Sequence, residues 1–102
     1  MEIKYGKTED ALTLYVYGEL DEYSASKAKD VLDRVIDGNL NCRKVIFDLS
    51  GLSFMDSTGI GLLIGRYKKL KRFNLPVFIS GASSSTEKVI ELANLYSIMP
   101  KY

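Results

Sequence analysis

The stretch 52-LSFMDSTGIGL-62 decides how this chain is read, because it leads from a buried strand into a helix. The apolar run Val45-Ile46-Phe47 predicts a strand that passes through Leu49 into a loop. A helical pattern begins where that loop ends, at Asp56-Ser57. The serine therefore falls in the first turn of a helix, where free backbone N–H groups and the helix dipole favour a negative charge. Phosphoserine suits such a place, and a simple capping role for Asp56 is the alternative interpretation.

On both sides of this stretch, apolar residues recur with the period of strands in some segments and of helices in others. Short strands are predicted around Ile3-Tyr5 and Leu12-Val16, and another begins at Pro76. Helices are predicted from about Ser24, from Ser57 to Phe73, and from Ser84, which is spaced from Glu87 as in a capping box. Their expected core stripes are Ala25, Ala28, Val31, Leu32, Val35 and Ile36; Ile60, Leu63, Ile64, Tyr67 and Leu70; and Val89, Leu92 and Ala93.

These elements predict an α/β fold in a single domain spanning residues 1–102. Their order is β-β-α-β-α-β-α, with a possible short terminal strand at Ile98-Met99. Strands that alternate with helices favour right-handed crossovers and parallel neighbours. We therefore expect a mixed β-sheet, mostly parallel in its core, with helices packed on it.

Composition excludes several classes of function. The chain has 102 residues, 46% of them hydrophobic, a net charge of +1, no histidine and a single cysteine, Cys42. Histidine-based catalysis, HExxH zinc sites and cysteine metal clusters are therefore absent. We expect that the protein is not an enzyme and that it has no metal site and no cofactor. A near-neutral charge gives no support for direct nucleic-acid binding, and no apolar run is long enough to span a membrane. The sequence is typical of a cytoplasmic protein.

Other features have plainer explanations. The glycines at 59, 61 and 65 do not match a dinucleotide or Walker loop, so close contact with a partner or with the sheet is favoured for Gly61 and Gly65. The basic residues after position 65 complement the end of a helix dipole. Asp48 resembles the phospho-accepting carboxylate of receiver domains, but the acidic pair and the lysine that such a site needs are missing. Asp48 is therefore expected to be a solvent-facing residue at a strand end. Ser57 has no histidine partner and no nucleophile elbow, so it is not expected to be the nucleophile of a hydrolase.

An acidic loop, Glu19 to Glu22, follows the second strand. Loops after the carboxyl ends of parallel strands gather at one edge of a sheet. This loop and the Asp56-Ser57 turn are therefore expected to lie side by side, presenting carboxylates and a hydroxyl together. A merely solvated acidic turn is the alternative.

The segment 48-DLSGLSFMDSTGIG-61 strongly resembles the signature of the STAS domain of anti-sigma factor antagonists. The resemblance extends into 62-LLIGRYK-68 and includes 18-GELD-21, followed by Ser24-Ala25. These residues are most similar to the sporulation branch of that family, the antagonists of the anti-sigma F factor. The order of elements agrees with the family over the whole chain.

The resemblance implies a partner-switching protein. In this family the unphosphorylated antagonist binds an anti-sigma factor that is also a serine kinase, and so frees the sigma factor. The kinase phosphorylates the motif serine, and a PP2C-type phosphatase removes the phosphate. Transferred to this chain, the acceptor is Ser57. The implied partner-binding residues are Asp21, Asp56, Ser57, Thr58, Gly59, Ile60 and Gly61.

Three departures from the family pattern stand out. Thr58 follows the acceptor where serine or alanine is frequent, so two hydroxyls are adjacent. The turn at Asn94-Leu95 has asparagine where glycine is common, and asparagine tolerates the left-handed conformation. The sequence stops at Tyr102, whereas relatives often continue into another short helix. The alternative function is a STAS-type module that senses a small ligand or nucleotide.

Overall fold

The three predicted α-helices are all present, and the sheet contains one strand more than predicted. The computed structural model describes all 102 residues. Its elements, in chain order, are β1 (Glu2–Lys7), β2 (Ala11–Leu20), α1 (Ala25–Asp37), β3 (Lys44–Asp48), β4 (Leu52–Met55), α2 (Ser57–Lys71), β5 (Val77–Ser80), α3 (Ser84–Leu92) and a 3-10 helix (Leu95–Ser97).

The sheet is mixed, as predicted, with strand order β1-β2-β3-β5. Only β1 and β2 are antiparallel; β3 and β5 run parallel to the strands beside them. The long strand β2 pairs with β3 through residues 11–15 and with β4 through residues 18–20. Gly18, whose φ is +93°, lies at an irregularity of the β2–β4 pairing, where the register shifts between Gly18 and Glu19. Glycine adopts this backbone conformation without the strain that a side chain would add.

The core lies between the sheet and the helices, and most predicted core positions are confirmed. Leu12, Leu14 and Val16 alternate inward from β2, and all three residues of the run 45–47 are buried. A fully buried aliphatic side chain contributes roughly 1.5–3 kcal/mol relative to an exposed one. The buried residues of the first two helices are Ala28, Leu32 and Ile36 in α1 and Gly59, Ile60, Leu62, Leu63, Arg66 and Leu70 in α2.

An ionic network joins α1 to α2. Arg66, which is 7% exposed, places Nε 3.0 Å from Asp33 Oδ1. Lys69 Nζ lies 3.3 Å from the same oxygen and 2.8 Å from Asp37 Oδ1. Arg66 and Lys69, two of the basic residues predicted near the end of α2, are therefore neutralised by carboxylates of α1.

The third helix corrects two expectations. Its N-cap is Ser83 rather than Ser84, because the Ser83 hydroxyl accepts the Thr86 N–H at 3.4 Å. Glu87 accordingly does not complete a capping box; its carboxylate accepts the Tyr96 hydroxyl at 3.1 Å and pairs with Lys101. These contacts, the one from Lys101 first, lower the pKa of Glu87.

The buried residues of α3 are Thr86 and Ile90, not the stripe of Val89, Leu92 and Ala93. Leu92 is 90% exposed. The amphipathic stripe lines an open groove beside α2, and only Val89 also reaches the core. Val89 is half-buried and packs against the core, whereas Leu92 and Ala93 are exposed, so the expected core stripe is wrong at those two positions.

The chain end also differs from the expected strand at Ile98-Met99. The 3-10 helix ends just before these residues, and its N-cap Asn94 has the expected left-handed conformation with φ of +54°. A strand-like contact forms further on, where Tyr102 N–H donates to the Ile79 carbonyl at 2.8 Å and Ile79 N–H donates to the Pro100 carbonyl at 3.0 Å. The last residues thus cover the outer edge of β5.

Candidate functional site

Ser57 is the first residue of α2 and is exposed to solvent. The preceding Asp56 is the N-cap of α2, which agrees with the capping role that the sequence analysis gave as an alternative. Its Oδ1 accepts the N–H groups of Thr58 at 2.9 Å and Gly59 at 3.3 Å. A carboxylate of the chain itself therefore already occupies two free donors of the helix start.

The acidic loop lies beside this turn, as expected. Leu20 and Met55 are partners in the parallel pairing of β2 with β4, and Asp56 N–H donates to the Leu20 carbonyl at 3.4 Å. Asp21 and Asp56 therefore follow directly from adjacent strand ends. The added strand β4 fixes this arrangement, because it places both loops at the same edge of the sheet.

Asp21 orders the turn that leads into α1. Its Oδ1 accepts the N–H groups of Tyr23 and Ser24, each at 3.0 Å. The Ser24 hydroxyl donates to the Glu19 carbonyl at 2.9 Å. These bonds hold the half-buried Asp21 in one position, whereas Glu22 beside it is exposed. The loop is thus an ordered turn with a fixed carboxylate rather than a merely solvated one.

The three glycines of α2 have different surroundings. A Cβ on Gly59 would lie 2.5 Å from Met55 Cγ and 2.9 Å from the Leu20 carbonyl oxygen. A Cβ on Gly61 or Gly65 would meet nothing within 4 Å. Gly59 is required by the packing of α2 on the strand ends, whereas the other two make no close contact with the sheet. Of the two expectations for Gly61 and Gly65, contact with the sheet is therefore wrong.

An apolar groove of about 300 Å³ opens next to Ser57. Ser57 lines one side above the buried Ile60, and the apolar stripe of α3 lines the other side, namely Val89, Leu92 and Ala93. Sequence reasoning missed this groove because it assigned the stripe to the core. The spacing i, i+3, i+4 contained the signal, since such a stripe covers any apolar partner equally well.

The predicted site residues are thus of two kinds, those that reach the surface and those that are buried beneath it. Ser57, Thr58 and Gly61 are exposed, and Asp21 and Asp56 are half-buried. Gly59 and Ile60 are buried, Ile60 at the floor of the groove. The Asp48 carboxylate lies apart from this group and accepts from the backbone N–H and hydroxyl of Ser50 at 2.9 and 2.6 Å.

The structure contains no group of three or more histidine, cysteine, aspartate or glutamate side chains arranged to hold a metal ion. None of its helices combines the length and apolar character needed to cross a membrane.

Comparison with known proteins identifies the family. The STAS domain matches residues 2–102. An anti-sigma F factor antagonist of Paenibacillus polymyxa is 26% identical over the full chain and 86% of its own length. An anti-sigma-B factor antagonist of Listeria monocytogenes is 33% identical over 97% of this chain and 84% of its own length. That of Staphylococcus aureus is 34% identical over 82% of this chain and 76% of its own length.

Solved structures share the fold. The unphosphorylated form of the anti-sigma factor antagonist SpoIIAA has a TM-score of 0.80 at 24% identity, over 99% of this chain and 88% of its own. The phosphorylated form of the Bacillus protein has a TM-score of 0.71 at the same identity, over 99% and 91% of the two chains. An anti-sigma factor antagonist from Mycobacterium paratuberculosis has a TM-score of 0.85 at 22% identity, over 99% and 84%. The predicted fold class is confirmed.

Proposed function

Since this chain belongs to the STAS-domain family of anti-sigma factor antagonists, we propose that it is a cytoplasmic switch protein controlled by phosphorylation of Ser57. In its unphosphorylated form it binds an anti-sigma factor that is also a serine kinase, and the sigma factor is released. The kinase inactivates it by phosphorylating Ser57, and a PP2C-type phosphatase restores it. The protein acts by binding and catalyses no reaction of its own.

The accessibility of Ser57 is the observation that supports this proposal most directly. The side chain is exposed at the start of α2, and its hydroxyl makes no hydrogen bond within the protein. A kinase can therefore reach the oxygen without unfolding the helix. Thr58 is also exposed, so the choice between the two hydroxyls rests with the kinase.

We define the docking surface as Asp21, Asp56, Ser57, Thr58 and Gly61, together with the groove. Two kinds of contact are available there. The fixed carboxylate of Asp21 suits a basic side chain of the partner, and loss of a desolvated charge pair of this kind costs about 2–5 kcal/mol. The groove suits an apolar side chain of the partner, because four of its five lining residues are apolar.

Gly59 and Ile60 take part from beneath the surface. Gly59 lets α2 pack directly on the ends of β2 and β4, and Ile60 forms part of the groove. Gly61, with open space around it, allows the partner to approach the helix backbone closely.

Phosphorylation is expected to disrupt this surface by charge and bulk. A phosphate adds about −1.5 to −2 charges at neutral pH. On Ser57 it would stand at the rim of an apolar groove and near two carboxylates, Asp21 and Asp56. A partner that fits the neutral hydroxyl would have to desolvate the phosphate. A penalty of about 3–4 kcal/mol weakens binding several hundredfold.

The test uses Ser57→Ala with the cognate kinase. The alanine protein is expected to bind the anti-sigma factor with the affinity of the wild type, because only an unbonded hydroxyl is lost. It should remain bound when ATP is added, whereas the wild type should be phosphorylated and released. Calorimetry measures the affinity, and mass spectrometry locates the phosphate.

Thr58→Val is the matched control, since it removes the neighbouring hydroxyl at similar size. It should still be phosphorylated on Ser57, with one phosphate per molecule, even if the loss of a docking-surface hydroxyl changes the rate. Phosphate on Thr58 with Ser57 unmodified, or release of the Ser57→Ala protein by ATP, would contradict the proposal.

A further inference from the structure

A second candidate surface lies at the other end of α2 from Ser57. There a cleft of about 420 Å³ is lined by residues between 67 and 78, Tyr67, Lys71 and Phe78 among them, and by Ile98 and Pro100. We call it the distal cleft. The helix between the two sites has 15 residues and is about 20 Å long. A partner in the distal cleft would therefore leave the docking surface free.

The cleft has an apolar interior with a cation at its rim. Leu75 and Val77 are buried in its floor, and Phe78 is half-buried. Lys71 Nζ lies 5.9 Å from the centre of the Tyr67 ring and makes no salt bridge. The lysine therefore remains available to a negatively charged group at the edge of an apolar surface.

Two further cations stand on the same side of the helix. Lys68, Lys71 and Arg72 are spaced i, i+3, i+4, so their side chains share one face. All three are outside the ionic network of Arg66 and Lys69, and none has an acidic partner. Like charges at this spacing destabilise a helix by about 0.2–0.5 kcal/mol per pair. The helix dipole offsets this cost at the last turn, and the three cations stay without an acidic partner on the protein.

From this arrangement we propose that the distal cleft binds an acidic peptide segment of a second protein. An aromatic or aliphatic side chain of the peptide enters the cleft, and carboxylates before and after it contact the three cations. Only Lys71 lines the cleft, while Lys68 and Arg72 lie outside it. An extended chain reaches all three, whereas a small carboxylate held in the cleft reaches one. The inference is independent of the function of Ser57.

Fluorescence anisotropy with a labelled peptide of sequence GEDEFDEDG tests the proposal. We expect saturable binding that Lys71→Glu weakens by about tenfold, the equivalent of about 1.4 kcal/mol. Lys27→Glu is the matched control, because Lys27 is an exposed, unpaired lysine of α1 and the charge change is the same. It should weaken binding less than about twofold.

Two altered peptides separate the apolar and ionic contributions without changing the protein. GEDESDEDG lacks the aromatic ring, GQNQFNQNG lacks the charges, and both should bind markedly more weakly. Amide NMR shifts on titration should be confined to residues 67–78 and 98–100.

Several outcomes would overturn the proposal. Equal weakening by Lys71→Glu and Lys27→Glu would show nonspecific attraction. Undiminished binding of GEDESDEDG would exclude the cleft. Saturable binding of phenylacetate, with no binding of the peptide, would assign the cleft to a small carboxylate.

Discussion

Gly59 and Gly61 stand two residues apart on α2, and each has its own reason to be glycine. The first has no room for a side chain, because the Leu20 carbonyl and the Met55 side chain fill the space where a Cβ would lie. The second is exposed and has nothing near it. The structure thus separates a glycine needed for folding from one that folding does not need.

This contrast leads to a prediction about stability. Gly59→Ala should lower the free energy of unfolding by about 1–3 kcal/mol, because backbone must shift to admit the methyl group. Gly61→Ala should raise it by about 0.5–1 kcal/mol, since alanine favours the helix and nothing obstructs it. Urea unfolding followed by circular dichroism measures both.

Equal stability of the two variants would show that the close approach at Gly59 is relieved at no cost. The Gly61→Ala protein also serves as a probe of the docking surface, because its fold should be intact. Its affinity for the anti-sigma factor is expected to fall, since the added methyl stands where the partner approaches.

At the scale of elements, α3 carries the clearest sign of an absent partner. Its apolar stripe is exposed along the groove beside Ser57, and Leu92 has 90% of its surface accessible. Exposed side chains of this kind contribute little to folding but can anchor a partner.

We therefore predict that Leu92→Ala weakens binding of the anti-sigma factor by about 1–2 kcal/mol. The free energy of unfolding should change by less than about 0.5 kcal/mol, because the side chain is already in water. Lys68→Ala, at an exposed position near the other end of α2 from Ser57, is the control and should leave the affinity unchanged. Isothermal titration calorimetry and urea unfolding report the two quantities, and a Leu92→Ala protein with wild-type affinity would remove the groove from the docking surface.

The same helix shows where sequence periodicity stops being informative. Alternation in β2 and the apolar run in β3 correctly predicted buried strands, because those segments pack on the core. The stripe of α3 has an equally good helical period, but the period does not say which surface an apolar face covers. Only the position of α3 relative to α2 distinguishes the core from a groove.

The strand β4 escaped prediction for a different reason. Its four residues, Leu52–Met55, show no alternation, since the two end residues are buried and the two middle ones exposed. It forms because β2 extends beyond β3 and offers three more residues for pairing. This is a long-range contact without a local signature. The turn after β4 was nevertheless predicted correctly, because Asp56 and the helix that follows it carry local signals.

For the whole molecule, the main question is how far the effect of phosphorylation spreads. Asp56 already occupies the N–H groups of Thr58 and Gly59, so a phosphate on Ser57 gains less from the helix start than the free N–H groups would provide. It also stands beside a carboxylate of the same sign.

We predict a local change on phosphorylation. Amide shifts between the two forms should differ at residues 55–62, 19–22 and 89–93, and little elsewhere. The free energy of unfolding should fall by no more than about 1 kcal/mol, as expected for an exposed like-charge contact. Large shifts across the strand 45–47 and the helix 25–36 would instead indicate a conformational change of the whole domain.

The pairing of β2 with β4 has a kinetic consequence. The two loops of the docking surface are held by adjacent strand ends, so a partner meets both in their final positions. Little conformational entropy is then lost on association, and encounter need not wait for a loop to order. A phosphate on Ser57 is therefore expected to act mainly on a preformed contact, by raising the dissociation rate and so shortening the lifetime of the complex.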